Sequence, residues 1–130
     1  MNAALALLPS ILLALLFWYV AWAGSRDRLP RNAIVGIRLP ATTRSDGAWF
    51  AAHRAAASSN IGAGIWFLLS GLAAATLATS DDGRATILFS GWVIALVWVA
   101  LGAVRAVRAA NAVTDTEPND PGDQPGRAGT

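Results

Sequence analysis

The side chains best suited to chemistry lie in one polar stretch, residues 24–60. It holds the only histidine, His53, and six of the ten arginines. An imidazole can ligate a metal or transfer protons near neutral pH, but a metal site needs several ligands, and the chain has no cysteine and no second histidine. Arginine suits the recognition of carboxylate and phosphate. The sequence therefore predicts no catalytic residue, no metal site and no cofactor, and a loop that binds a partner or lipid headgroups.

The polar stretch lies between apolar segments long enough to cross a membrane. Residues 3–23, 61–79 and 85–104 carry no Asp, Glu, Lys, Arg or His, and each is about as long as a bilayer is thick. Only 14% of the 130 residues are charged, against about 25% in soluble domains. The second segment has the fewest large aliphatic residues, so we expect its neighbours to shield it from lipid. The predicted fold is an all-α membrane protein with three transmembrane helices.

The domain organisation follows from this pattern. Residues 1–110 are predicted to form one three-span membrane domain, in which residues 24–60 form a cytoplasmic loop, hereafter the motif loop. Residues 111–130 are dense in proline, glycine and aspartate, which predicts a disordered tail. Small residues recur four apart in the spans, as Ser70 with Ala74 and Gly91 with Ala95. Such spacing favours close helix packing.

The distribution of arginine predicts the orientation. Arginine is concentrated in the motif loop and directly after the third span, whereas the turn between spans two and three holds Asp81 and Asp82. The positive-inside rule then places the N-terminus outside and the C-terminus in the cytoplasm. A cleaved signal peptide is the alternative for the first segment, since Ala21-Trp22-Ala23 resembles a cleavage site. However, no basic residue precedes the segment, and its apolar run exceeds the usual length.

The second half of the motif loop has the features of a helix. Ser45 is a suitable N-cap and Asp46 suits the first turn. Trp49, His53 and Asn60 then fall near one face. This helix either lies in the membrane interface or forms the entry to span two. Before it, Gly36 and Pro40 disfavour a helix, and residues 34–39 are expected to be extended along the membrane surface.

The spacing of several loop residues resembles that of a known family. The pattern N-x-x-x-G-[IV]-R-x-P-x-T is followed seven residues later by W-x-x-x-H-[RK]. Here it is formed by Asn32, Gly36, Ile37, Arg38, Pro40, Thr42, Trp49, His53 and Arg54. This pattern, within the three-span layout, resembles the SdpI/YfhL family of small bacterial membrane proteins. Its best-known members protect a cell against its own secreted antimicrobial peptide toxin, and one draws a transcriptional repressor to the membrane.

The resemblance implies a non-catalytic protein of the bacterial plasma membrane whose specific activity lies in residues 32–54. The candidate residues for binding a partner or lipid headgroups are Asn32, Gly36, Arg38, Pro40, Thr42, Trp49, His53 and Arg54. Among them, Trp49 is expected to anchor in the membrane interface and Arg54 to reach lipid phosphate.

Two functions from different classes remain open at this point. One is immunity to, or sensing of, a secreted peptide toxin. The other is a small interaction or scaffold subunit of a larger membrane complex. A coupled transporter is disfavoured because such proteins usually carry ionisable residues within their spans. The expected partners are membrane lipids, with a peptide toxin, another membrane protein or a second copy of the chain as further candidates, and no nucleic acid.

Overall fold

The computed structural model describes residues 2–31 and 34–113, and all of its regular structure is helical. The helices are α1 (Ala3–Ser25), α2 (Pro40–Thr43), α3 (Asp46–Thr76) and α4 (Asp81–Asn111). α1, α3 and α4 are each long and apolar enough to cross a membrane. The predicted all-α, three-span fold is thus confirmed. The tail predicted to be disordered lies, from residue 114 onward, outside the described residues.

The second span, within α3, lies at the centre of the three-span domain. α1 and α4 each pack extensively against α3, on separate faces of it. We compared the buried share of the most apolar 18-residue stretch of each helix. This share is 44% for α3, 22% for α1 and 17% for α4. The expectation that neighbouring helices shield the second span is therefore confirmed, since α3 is also the least hydrophobic of the three helices.

α3 continues from the motif loop into the membrane without a break. Its 31 residues correspond to about 46 Å, which exceeds the thickness of the hydrocarbon core. The charge-free stretch 55–76 is long enough to cross that core by itself, and the charged residues of α3, Asp46 and Arg54, lie before it. Ser45 caps the helix as predicted, because its Oγ accepts a hydrogen bond from the Ala48 N–H at 3.1 Å. Of the two placements that the sequence allowed, the helix forms the entry to span two.

Small residues allow the helices of the domain to approach closely. A Cβ added at Gly91 would collide with Ser70 on α3, and one at Gly71 would collide with Ser10 on α1. Between these close approaches, the ring of Phe67 packs at 5.4 Å from that of Phe17 on α1. This is the packing by which membrane helices associate when no hydrophobic effect drives them together.

Arginines join the ends of α3 and α4 that lie at the motif loop. Arg44 donates hydrogen bonds to the carbonyl oxygens of Ala110 and Val113, at 2.7 and 2.6 Å. Arg105 on α4 donates to Oγ of Ser59 on α3 at 2.7 Å. The carbonyl groups at a helix C-terminus lack partners within the helix, so Arg44 both caps α4 and ties the motif loop to it.

Candidate functional site

His53 is the centre of the predicted site, and it is buried. Its side chain precedes the charge-free stretch of α3 and is 1% exposed. Nε2 accepts a hydrogen bond from the Ile37 N–H at 2.9 Å, and Nδ1 lies 2.8 Å from the carbonyl oxygen of Trp49. Because an amide only donates and a carbonyl only accepts, Nδ1 carries the proton and the imidazole is neutral. Burial lowers the pKa of His53 from its ordinary value of 6.5, and the hydrogen bond to Trp49 offsets part of this effect.

Trp49 packs against His53 from one turn earlier on α3. The two rings lie 4.1 Å apart, and Trp49 Nε1 donates a 2.7 Å hydrogen bond to the carbonyl oxygen of Leu29. Trp49 has no exposed surface. The expectation that it anchors in the membrane interface was therefore wrong. The segment after α1 covers the ring and supplies the acceptor that lipid or water would otherwise provide.

Gly36 closes the third side of the imidazole, and only glycine fits there. Its φ is +120°, a conformation that residues with a Cβ rarely adopt. A Cβ built on Gly36 would also lie 2.5 Å from His53 Nε2 and 2.8 Å from the Trp49 ring. The glycine is thus required both by the backbone and by the contact with the two rings.

Thr42 binds the carbonyl group of Ile37, whose N–H donates to His53. Its Oγ1 donates to the Ile37 carbonyl at 2.6 Å and accepts from the Leu39 N–H at 3.0 Å. Pro40 begins α2, where a fixed φ and a missing N–H are tolerated, so the loop contains a helical turn that its sequence did not predict. Gly36, Ile37, Thr42, Trp49 and His53 together are called the His53 cluster below.

Arg54 and Arg38 are not members of this cluster. Arg54 forms an ion pair with Asp27, with both carboxylate oxygens 2.5 Å from Nη1. A carboxylate therefore occupies the position at which lipid phosphate was expected. Arg38 is exposed beside the cluster. Asn32 lies outside the described residues.

The motif loop also forms one wall of a groove that the sequence did not reveal. The groove has a volume of about 370 Å³ and lies between α1 and α4. The helices contribute apolar side chains, including Phe17 and Val20 from α1 and Val99 from α4, and residues 34–39 form the wall beside them. From α3 it is lined by Asn60 alone. We call this the α1–α4 groove.

The side chains of the His53 cluster bind mainly backbone groups of the motif loop and α3. The imidazole nitrogens of His53 are both engaged by backbone groups. Within the described part of the chain, no three His, Cys, Asp or Glu side chains are grouped as metal ligands. The cluster instead holds residues 34–39 in place, and these present Ile34, Arg38 and Leu39 as exposed side chains.

Comparison with known protein families identifies the family of this chain. The model of the SdpI/YfhL protein family matches residues 28–107, which is more than half of the chain. The chain belongs to the SdpI/YfhL family. No curated protein and no solved structure matches it. The matched residues of this SdpI/YfhL protein include the His53 cluster, α2, α3 and most of α4, whereas α1 precedes them.

Proposed function

We propose that this membrane protein protects its cell against a secreted antimicrobial peptide toxin, or senses that toxin, through the surface of the motif loop. The observation that carries the proposal is that some residues of the family motif hold the loop in place while others are exposed. The His53 cluster attaches residues 34–39 to α3, and within this segment Ile34, Arg38 and Leu39 are exposed. Family membership supports a role of this kind.

The exposed segment has the chemistry to contact a membrane-active peptide. Ile34 is 89% exposed and Leu39 is 38% exposed, and Arg38 lies between them. Apolar side chains next to a guanidinium can pack against an amphipathic peptide and bind its carboxylate or backbone carbonyl groups. The role is non-catalytic, because no bond has to be broken in the toxin for binding to block it.

The proposal includes an orientation in the plasma membrane, with the N-terminus outside and the C-terminus in the cytoplasm. The excess of arginine in the motif loop supports it. Residues 24–60 contain six arginines and two aspartates. A toxin that inserts into the membrane would then meet residues 34–39 at the cytoplasmic interface.

The test is survival of a sensitive bacterium that expresses this chain and is challenged with secreted antimicrobial peptides, including any encoded beside its gene. We expect protection against at least one peptide and its loss in Arg38→Ala at unchanged abundance in the membrane fraction. Arg28→Ala is the matched control, because Arg28 is also an exposed arginine of the motif loop but lies over the Trp22 ring.

The alternative function is that of a scaffold subunit in a larger membrane complex. It would be indicated if the chain gives no protection against any peptide and instead co-purifies from native membranes with a defined set of membrane subunits. In that case residues 34–39 would be a contact surface for one of those subunits.

A further inference from the structure

Two arginines without a carboxylate partner meet at one aromatic ring at the end of α1. The guanidinium carbons of Arg26 and Arg28 lie 5.3 and 5.5 Å from the centre of the Trp22 ring. Both arginines are exposed, and within residues 2–31 and 34–113 neither forms an ion pair. The contact of a guanidinium with an indole is weakly favourable, whereas two cations held near each other repel. This position therefore favours an anion that contacts both.

The turn after α1 brings the two arginines together and withdraws the nearest carboxylate from them. Asp27 has a left-handed φ of +55°, and the Arg28 N–H donates to the Ala23 carbonyl oxygen at 2.9 Å, as in a Schellman C-cap. The chain thereby turns Arg28 back toward α1. Asp27 lies between the two arginines in sequence, yet both of its carboxylate oxygens bind Arg54. A third arginine thus neutralises this carboxylate.

A groove beside the Trp22 ring supplies apolar walls. It has a volume of about 370 Å³ and lies between α1 and α3, and its size is in the range of small-molecule sites. From α1 it is lined by Trp18, Trp22 and Arg26, each one helical turn after the last, and from α3 by Ala57 and Ile61. The lining on α1 thus changes from apolar to cationic over about 12 Å. We call this the α1–α3 groove.

We propose that the α1–α3 groove binds one anionic phospholipid. The phosphate contacts the guanidinium groups of Arg26 and Arg28, and the first part of an acyl chain packs against Trp18 and Ile61. A phospholipid carries its acyl chains on one side of its phosphate, so the order of its groups matches the order of side chains along α1. Tryptophan is typical of the headgroup level of a membrane, and arginine binds phosphate oxygens through several N–H donors.

The charges beside the groove favour an anionic lipid over a zwitterionic one. Phosphatidylethanolamine carries an ammonium group beside its phosphate, which would add a third cation next to the two arginines, whereas phosphatidylglycerol adds none. The two aspartates of the motif loop, Asp27 and Asp46, are paired with Arg54 and Arg31, so neither is left for an ammonium group. This proposal goes beyond the proposed function, because it requires no toxin and is tested without one.

The test uses the full chain in nanodiscs of phosphatidylethanolamine and phosphatidylglycerol, followed by mild detergent release and native mass spectrometry. We expect one retained phosphatidylglycerol in preference to phosphatidylethanolamine. Arg26→Gln and Arg28→Gln should each lower this retention about five-fold, the factor expected for one arginine at the membrane surface. Arg108→Gln is the matched control and should retain the lipid, because Arg108 is an exposed arginine in the last turn of α4 and lies outside the groove lining.

Ile61→Trp distinguishes binding in the groove from general attraction at the surface. Ile61 is 47% exposed, so a larger ring fills the groove without repacking of the core, and both arginines stay in place. This variant should lose the retained lipid and keep the melting temperature of the unaltered protein. Unchanged retention in Ile61→Trp or in both arginine variants, or equal retention of the two lipids, would overturn the proposal.

The acidic tail is the alternative occupant of the groove. Residues 114–130 hold four acidic side chains and follow α4, whose end lies at the motif loop. If the tail occupied the groove, the full chain would retain no phosphatidylglycerol, and a chain that ends at Val113 would gain it. That result would refute the lipid site in the full-length protein.

Discussion

The backbone N–H of Ile37 and Nε2 of His53 are joined by a 2.9 Å hydrogen bond, and this bond excludes the protonated imidazole. In an imidazolium both ring nitrogens carry protons, so Nε2 would face the amide as a second donor. The hydrogen bond from Ile37 to His53 and the protonation of His53 are therefore mutually exclusive. The histidine of the family motif acts here as a hydrogen-bond acceptor for the loop.

A first prediction concerns pH. The pKa of His53 is lowered in the folded protein relative to its ordinary value of 6.5, so the unfolded chain takes up this proton at a higher pH than the folded one. The contribution of His53 to stability is then complete above about pH 6.5 and decreases as the pH falls through the folded pKa. Melting temperatures of the detergent-solubilised protein between about pH 8 and pH 5 should show this decline.

The control for the pH effect is His53→Gln. A glutamine oxygen can accept the Ile37 N–H but does not titrate, so its melting temperature should be nearly constant across the same interval. An equal decline in the variant would show that another group is responsible.

A second prediction concerns Gly36. Gly36→Ala introduces a Cβ at a φ of +120° and within 2.5 Å of His53 Nε2. It should lower the free energy of unfolding by about 1–3 kcal/mol. Gly47→Ala is the matched control, since the nearest atom to its added Cβ is Val113 Cγ1 at 3.4 Å and alanine favours the helix by up to about 1 kcal/mol. Similar melting temperatures for both variants would contradict the assigned role of Gly36.

A third prediction concerns the contact between α3 and α4. Gly91→Val would force two additional methyl groups and a Cβ against Ser70, which already lies too close for any Cβ. Overpacking of this kind should destabilise the protein by about 1–3 kcal/mol. Ala100→Val adds similar bulk to an exposed position of the same helix and should have little effect. The comparison is made by thermal unfolding in one detergent, and the helix contact is disproved if Gly91→Val is as stable as Ala100→Val.

A fourth prediction concerns orientation. The chain has no cysteine, so each introduced thiol is unique. Asp82 is exposed in the first turn of α4, and Leu39 is exposed in the motif loop. In intact cells a membrane-impermeant thiol reagent should label Asp82→Cys, whereas Leu39→Cys should react only after permeabilisation. The reverse pattern would place the motif loop outside the cell.

The sequence predicted the spans well because their signal is local. Uninterrupted apolar stretches and a capping residue such as Ser45 specify helices without knowledge of the rest of the chain. The partners within the motif could not be predicted in the same way. Trp49 binds the carbonyl of Leu29, twenty residues away, and its assignment to the membrane interface failed because burial depends on the path of the loop after α1.

The same limitation applied to the groove. It exists because α1 and α4 pack on separate faces of α3, and no pattern within a single span indicates how two other spans are arranged. Asn60 was placed correctly on the face shared with Trp49 and His53, and all three are buried. What the sequence could not indicate is that Asn60 would line this groove.

The central position of α3 has a consequence for biogenesis. α3 is the least hydrophobic of the three spanning helices, so it has the weakest tendency to enter lipid by itself. Spans leave the ribosome in chain order, and α1 is already present when α3 emerges, while α4 follows after a turn of only four residues, 77–80. The helices against which α3 packs are therefore present before and soon after α3 emerges. We expect that deletion of α1 prevents the insertion of α3 into the bilayer and does not only weaken the packing of the inserted helices.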